Sequence, residues 1–339
     1  MRQLLCQFEG DSLEKSCSFI MEIINISFLL ILVVTIGSSQ SEVIQLKNPS
    51  FEDKPYASFV PEGWEDCGFK NFSPPDVHPN DLFFVQKTAF DGQTYVGMVS
   101  RDNNTWERIG QALEQPLERG ACYGLAIALA KSPIYISGNH SSNQDFNYSK
   151  PLKLKIWGAF HACEGLEPLA ESVPVDHANW KEHLLILNPS EKYYYIILEA
   201  IYQDSSQTAY RGNILLDHLS PIVKIPCEDL EAVQSSKWYR LFRKKLKLHR
   251  QFREPPVQSP PSNPNEIEVF LNATNIADSR RDYIEVIRLL QKDEPEKQLH
   301  LIIQEKTFKK ANRTKKRILG SLKKADISLE KITLDVQAY

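Results

Sequence analysis

Two short segments bracket the strand-rich part of this chain and limit what it can fold into. Asn48-Pro49-Ser50-Phe51-Glu52 opens the stretch, and Ile214-Leu215-Leu216-Asp217-His218-Leu219-Ser220-Pro221-Ile222 closes it. Each reads as a short strand with one carboxylate among apolar residues. Strand signals recur between them, and no amphipathic helix of normal length competes. The pattern predicts one closed β-sandwich over residues 42–227, with its first and last strands side by side.

The intervening signals are specific enough to place. Strands are expected at Asp81–Val85, at Thr94–Val99 after the Asp91-Gly92 turn, and at Trp106–Leu113, ending before Pro116. Cys122–Ala130 is long and apolar. Leu152–Trp157 alternates strictly, so one face is buried and the other wet. Trp180–Leu187 and Tyr193–Tyr202 read as a pair around Asn188-Pro189-Ser190. About ten strands with long loops suit a jelly roll.

The net charge of −3 conceals a sign change along the chain. Residues 1–227 hold 17 basic and 27 acidic side chains, whereas residues 228–339 hold 23 and 16. Two units with different surroundings are implied. Residues 228–265 form a linker. Its basic run 237–253 has eight Lys and Arg and no acid, and a Pro-rich extended spacer follows at 255–264. Residues 266–339 then give strand, helix, strand, helix, strand. The strands are Ile267–Leu271, Leu299–Ile303 and Ile332–Val336. One helix follows the spacing of Tyr283, Val286, Ile287 and Leu290, and a basic one spans Asn312–Ala325. The expected fold is an all-β jelly-roll sandwich plus a small C-terminal α/β domain.

Residues 1–41 read as a signal peptide or a membrane anchor. The apolar run Ile26–Ile36 followed by Gly37-Ser38-Ser39 fits a signal h-region and predicts export, with Met21 as an alternative start. An uncleaved anchor is the rival, since the apolar stretch nears bilayer length. Four cysteines follow: Cys67, Cys122, Cys163 and Cys227. An even count in an exported chain favours disulfides over free thiols or metal, with three connectivities open.

From Asn48 to Pro226 the chain resembles carbohydrate-binding modules of the galactose-binding-like jelly-roll fold. The residues are Asn48–Glu52, Gly63-Trp64, Asp91–Tyr95, Gly110–Leu113, Cys122-Tyr123 and Leu216-Asp217. It is similar to a variant in exported Bacteroidetes-type envelope proteins, on Gly63-Trp64, the loop Pro74–Pro79, and Trp157-Gly158 followed by a cysteine. The resemblance implies a structural calcium where the first and last strands meet, with Glu52 and Asp217 as carboxylate ligands. His218 stands where the family often has a second acid. The alternative is that both carboxylates cap strands or pair with lysine. Sugar binding needs aromatic faces beside planar polar groups. Candidates are Trp106, Trp157, Tyr95, Phe69 and Phe72 with Asp76, Arg101, Asp102 and Glu107, and Trp64 is assigned to the core.

Residues 266–339 resemble a degenerate OmpA-like peptidoglycan-binding domain. The basis is the element order, Asp293-Glu294-Pro295 leading to Leu299–Ile303, and Ala325-Asp326-Ile327 before the last strand. The resemblance places Arg317 at the ligand-binding arginine. The family's aspartate motif is missing, and Glu305 stands nearest to it. The basic run 237–253 is a candidate for membrane-surface contact. Nucleic acid is not expected in an exported chain.

No nucleophile elbow, zincin motif or phosphate loop is present in the sequence. The reading is therefore a non-catalytic, exported envelope protein of the periplasm, outer membrane or cell surface of a Gram-negative bacterium. It would bind glycan, peptidoglycan or an envelope partner. The alternatives are an adaptor making protein contacts only, and an enzyme with its site in the sandwich loops.

Overall fold

The computed structural model describes residues 43–139, 144–204, 208–227, 263, 265–272, 276–277 and 282–338. The predicted signal or anchor, the basic run and most of the Pro-rich spacer lie outside them. Seventeen strands and two longer helices are numbered here in chain order. The first group is β1 (Val43–Ile44), β2 (Glu65–Asp66), β3 (Asp76–His78), β4 (Tyr95–Ser100), β5 (Arg108–Leu117) and β6 (Cys122–Ala130). Next come β7 (Ile136–Asn139), β8 (Gln144–Asn147), β9 (Lys150–Ala159), β10 (Glu167–Glu171), β11 (Lys181–Leu187) and β12 (Tyr193–Tyr202). The last group is β13 (Gly212–Asp217), β14 (Ile222–Ile225), β15 (Glu266–Leu271), α1 (Tyr283–Asp293), β16 (Gln298–Glu305), α2 (Phe308–Lys324) and β17 (Ile332–Ala338).

Twelve of these strands make the sandwich. One layer holds β1, β14, β6, β11, β13, β4 and β3; the other holds β2, β5, β12, β9 and β10. A short parallel contact of β13 with β9 joins the layers at one corner. Period-2 alternation decides the inner faces. Leu152, Leu154 and Ile156 of β9 meet Ile196, Leu198 and Ala200 of β12. They face Leu125, Ile127 and Leu129 of β6 and Ile214 and Leu216 of β13 across a single apolar core, which also contains Trp64.

The first and last strands pair as expected, with Val43 opposite Val223. The bracketing segment 48–52 is not itself a strand. It is a turn in which Asn48 and Phe51 take positive φ, and Leu219 N–H donates to the Pro49 carbonyl at 2.9 Å. Three further expectations are corrected. Residues 81–83 form a single 3₁₀ turn, because the Asn80 side chain caps Leu82 N–H and Phe84 adopts a left-handed backbone. The segments around Asn188–Ser190 do not make a hairpin. β11 pairs with β6 while β12 pairs with β5 and β9, so this connection crosses between layers. β5 also runs through Pro116 to Leu117 rather than stopping before it.

The outer face of the larger layer bears a second apolar cluster. Phe83, Val85, Tyr135, Tyr148 and Trp180 cover Tyr95, Val99, Ala128 and Leu215. The β7–β8 hairpin separates this cluster from a third. Ile134 and Ile136 flank Tyr135 on the opposite side, and with Phe84 they join the core of the C-terminal segment. That segment is a parallel sheet, β15-β16-β17, with α1 and α2 as its crossovers. Val286, Ile287 and Leu290 of α1 and Ala311, Ile318 and Leu322 of α2 are buried against it. The sandwich and the C-terminal segment form one compact unit from Val43 to Tyr339.

Disulfides join Cys67 to Cys163 and Cys122 to Cys227. They are the mark of an oxidising compartment. Among the described residues no helix is long and apolar enough to cross a membrane. The Cys122–Cys227 bond closes a span of 105 residues and ties the chain beyond β14 to the start of β6. Replacing both cysteines by alanine should cost about 2–5 kcal/mol. Denaturant unfolding without reductant checks this; an unchanged midpoint would show that β14 is held by its strand pairing alone.

Candidate functional site

Asp76 and His78 lie two residues apart on β3, so they share a face, and both are buried. β3 pairs with β4, which puts Asp76 opposite Gly97 and His78 opposite Tyr95. A glycine is required at position 97: a Cβ there would stand 2.6 Å from the His78 ring. The His78 ring stacks on Tyr95 and meets Tyr135 edge-on.

These groups form a chain of hydrogen bonds. The Tyr135 hydroxyl donates to Asp76 Oδ2, and Ser58 N–H donates to Asp76 Oδ1 at 2.6 Å. Tyr135 has one proton and gives it to Asp76. It therefore accepts from His78 Nε2–H, 3.1 Å away. Burial holds His78 neutral, with its pKa lowered to about 3. The same burial, with Asp76 and Glu107 nearby, raises the Tyr135 phenol well above its usual value.

Arg101 and Glu107 complete the cluster from the turn between β4 and β5. Arg101 N–H donates to the Thr105 carbonyl at 2.8 Å, and Glu107 N–H to that of Val99 at 3.1 Å, so the turn is closed by its own backbone. Glu107 accepts from Arg101 Nη2 and from Val99 N–H. Arg101 Nη2 also reaches Ser73 Oγ at 3.0 Å, the guanidinium lies over Phe72, and buried Nη1 has no partner. Burial pushes the Glu107 carboxyl up to about 8; Arg101 opposes the shift and Asp76 adds to it.

Asp76, Arg101, Glu107 and Tyr135 line a cavity of about 860 Å³. Its walls come from the outer face of the larger layer and from the β7–β8 hairpin. Its far side comes from α1, through Asp282, Glu285, Arg288 and Lys292. Asp282 caps α1 by accepting from Ile284 N–H, and Glu285 pairs with Arg288. The volume suits a small organic ligand, and the lining offers a guanidinium and carboxyl groups as planar partners for hydroxyls.

Three of the sequence-predicted residues, Asp76, Arg101 and Glu107, thus converge. The others do not. Trp106 belongs to the outer face of the smaller layer, wedged edge-on against Phe69 and Tyr202. Its indole donates to Glu199 at 2.5 Å, and Trp157 donates to the other oxygen of the same carboxylate. This buried glutamate fixes both tryptophans. Asp102 is exposed and pairs with Arg211. Tyr95 is fully buried. Arg317 is exposed on α2, while Glu305, at the end of β16, is engaged by Lys310 and by the Thr314 hydroxyl. His78 and Tyr135 were not among the expected residues. The Asp76-x-His78 spacing marks His78; Tyr135 follows only from the hairpin packing.

Glu52 and Asp217 both act on one loop. Asp217 accepts from Phe90 and Asp91 N–H, at 2.7 and 3.0 Å, and Glu52 accepts from Gln93 and Thr94 N–H, at 2.9 and 3.3 Å. A Cβ at Gly92 would stand 1.9 Å from Glu52 Oε1, so the approach depends on glycine. His218 faces Asp91 at 3.2 Å. The four N–H groups bond one oxygen of each carboxylate, Asp217 Oδ2 and Glu52 Oε1. Among the described residues no group of three or more His, Cys, Asp or Glu is arranged to hold a metal ion.

No protein family's sequence profile and no curated protein matches the chain. Among solved structures, an arabinose-bound α-L-arabinofuranosidase is 11% identical at TM-score 0.34, over 56% of this chain and 27% of that enzyme. A xylan-binding domain from Paenibacillus barcinonensis is 15% identical at TM-score 0.32, over 55% and 97%. The C-terminal carbohydrate-binding module of a laminarinase from Zobellia galactanivorans is 12% identical at TM-score 0.27, over 48% and 99%. These values are too low to support inference, and the site is read from its own geometry.

Glu107 sets a pH dependence. Its folded pKa lies above the ordinary carboxylate value, so the native state retains a proton that the unfolded chain releases. Its contribution to stability should therefore fall as pH rises from about 4.5 to about 8 and level off above. Burial lowers His78, His177 and His183, which contribute in the opposite sense up to about pH 6.5. Glu107→Gln should remove the first contribution alone, so that the variant loses less stability than the wild type between pH 5 and pH 9. Denaturant midpoints at pH 5, 7 and 9 test this; parallel wild-type and variant profiles would reject it.

Proposed function

We propose that this is a non-catalytic, exported carbohydrate-binding protein whose ligand enters the cavity between the sandwich and α1. The supporting observation is the convergence of Asp76, Arg101, Glu107 and Tyr135 on one cavity of about 860 Å³. A sugar presents vicinal hydroxyls that suit carboxyl and guanidinium partners. Glu107 is anchored by Arg101 and Val99 N–H, and Asp76 by Tyr135 and Ser58 N–H. Groups fixed in this way recognise a ligand without reorganising.

The envelope location is part of the proposal and accords with the two disulfides. α1 supplies one wall of the cavity, so the C-terminal segment is assigned to ligand binding first. A second reading, docking to peptidoglycan, has one observation in its favour. Lys310, Thr314 and Arg317 all hold the Glu305 carboxyl below its usual range, which brings an acid and an arginine into one electrostatic neighbourhood.

Titration calorimetry with neutral oligosaccharides tests the main reading. Arg101→Met should weaken binding at least tenfold, since one charge-assisted hydrogen bond is worth about 1.5–3 kcal/mol. Near-UV dichroism should show the variant folded. Absence of binding by the wild-type chain to cello-, xylo- and laminari-oligosaccharides and to peptidoglycan fragments would sink the proposal.

A further inference from the structure

Most of the cavity's lining belongs to strands, the hairpin or α1. Ala57 and Ser58 instead form a turn in the segment between residues 48–52 and β2, and they are part of its rim. The residues on either side of them are aromatic and open to solvent: Tyr56 is 61% exposed and Phe59 42%. Their rings stand 6.3 Å apart at 84°, one edge against the other's face. Among the described residues, no other large exposed hydrophobic side chain flanks a cavity-lining residue in the chain.

The pair is held rigidly. Tyr56 exchanges both backbone hydrogen bonds with Val77 of β3, at 3.1 and 2.9 Å, and Phe59 N–H donates to the Pro75 carbonyl at 2.8 Å. Ser58 adopts φ of +55° and donates its N–H to Asp76, so the rim is tied directly to a carboxylate of the cavity. Ala57 packs on the apolar cluster over the larger layer and Val60 on the sandwich core. Both anchors turn inward, and the two aromatic rings remain outside. A solvent-exposed aromatic pair fixed by main-chain bonds loses little entropy when it meets a ligand.

We infer that Tyr56 and Phe59 form a second subsite, an aromatic platform that continues the cavity outward. It would take the third pyranose ring of an oligosaccharide whose first two units lie in the cavity against Asp76 and Arg101. A pyranose has an apolar C–H face as well as a hydroxyl rim. The cavity supplies partners for the rim, and the platform supplies a face for the C–H side. This rests on the carbohydrate reading of the cavity and adds to it that the ligand is a chain longer than a disaccharide.

The test compares two lengths of each of three series, cello-, xylo- and laminari-oligosaccharides, as disaccharide and hexasaccharide. Titrations use the full chain with disulfides intact. Tyr56→Ala with Phe59→Ala should lower affinity for the bound hexasaccharide at least tenfold and leave disaccharide affinity within twofold of wild type. Arg101→Met should weaken both lengths. Both platform side chains are exposed, so the double variant should keep the wild-type melting temperature. Unchanged hexasaccharide affinity in the double variant, with Arg101→Met still defective, would overturn the platform and leave the cavity reading intact. Failure of the wild type to bind any of the six sugars would remove the platform together with its premise.

Discussion

The grip of two carboxylates on residues 90–94 is the constraint from which the rest of the sandwich follows. Asp217 ends β13 and Glu52 follows the first turn, and they accept four successive-region N–H groups from one loop. That loop leads directly into β4. Fixing its end fixes the register of β4 on β13, where Leu215 lies opposite Gly97. β3 is then placed by β4, and with it Asp76 and His78. Asp217 is fully buried, and burial raises its pKa. The N–H donors offset part of that desolvation, which is why an acid can close the last long strand of a core.

Much of this was legible in the sequence because it depends on period and spacing. Strict alternation at Leu152–Trp157 located β9 and its inward face, and β6 and β12 have the bounds their apolar runs suggest. The C-terminal order of strands and helices followed from 3.6-residue spacing around Val286 and Ile318. What escaped is non-local or set by a single backbone angle. Nothing in residues 181–202 says that β11 and β12 separate into different layers, because each run is compatible with either partner. The apolar run 81–85 looked like a strand, yet a capped turn with left-handed Phe84 won. Phe84 thereby joins the C-terminal core while Phe83 and Val85 remain with the sandwich cluster.

The site divides in the same way. Asp76, Arg101 and Glu107 are polar residues near predicted loops; pairing of β3 with β4 and the closed turn after β4 bring them together. Trp106, one residue before Glu107, lies on the opposite side. Alternation across a strand explains this: neighbours at i and i+1 cannot share a face. Trp106 consequently serves Glu199 in the smaller layer. The Tyr135 contribution depends on a hairpin folding back over the larger layer, a contact with no local signature.

The packing of α1 ties the C-terminal segment to the sandwich. A domain joined to the sandwich only through a Pro-rich spacer would move independently and bind its own ligand. Here Phe84, Ile134 and Ile136 of the sandwich region share one apolar cluster with Tyr283, Val286 and Ile287 of α1. Separating the two would expose that cluster on both sides, a cost proportional to the apolar area uncovered. The cavity would also lose the wall that holds Arg288 and Lys292. The sandwich supplies Asp76, Glu107 and Arg101, and α1 supplies the Glu285–Arg288 pair and Lys292. The cavity wall is therefore built jointly by two parts of the chain whose net charges have opposite sign.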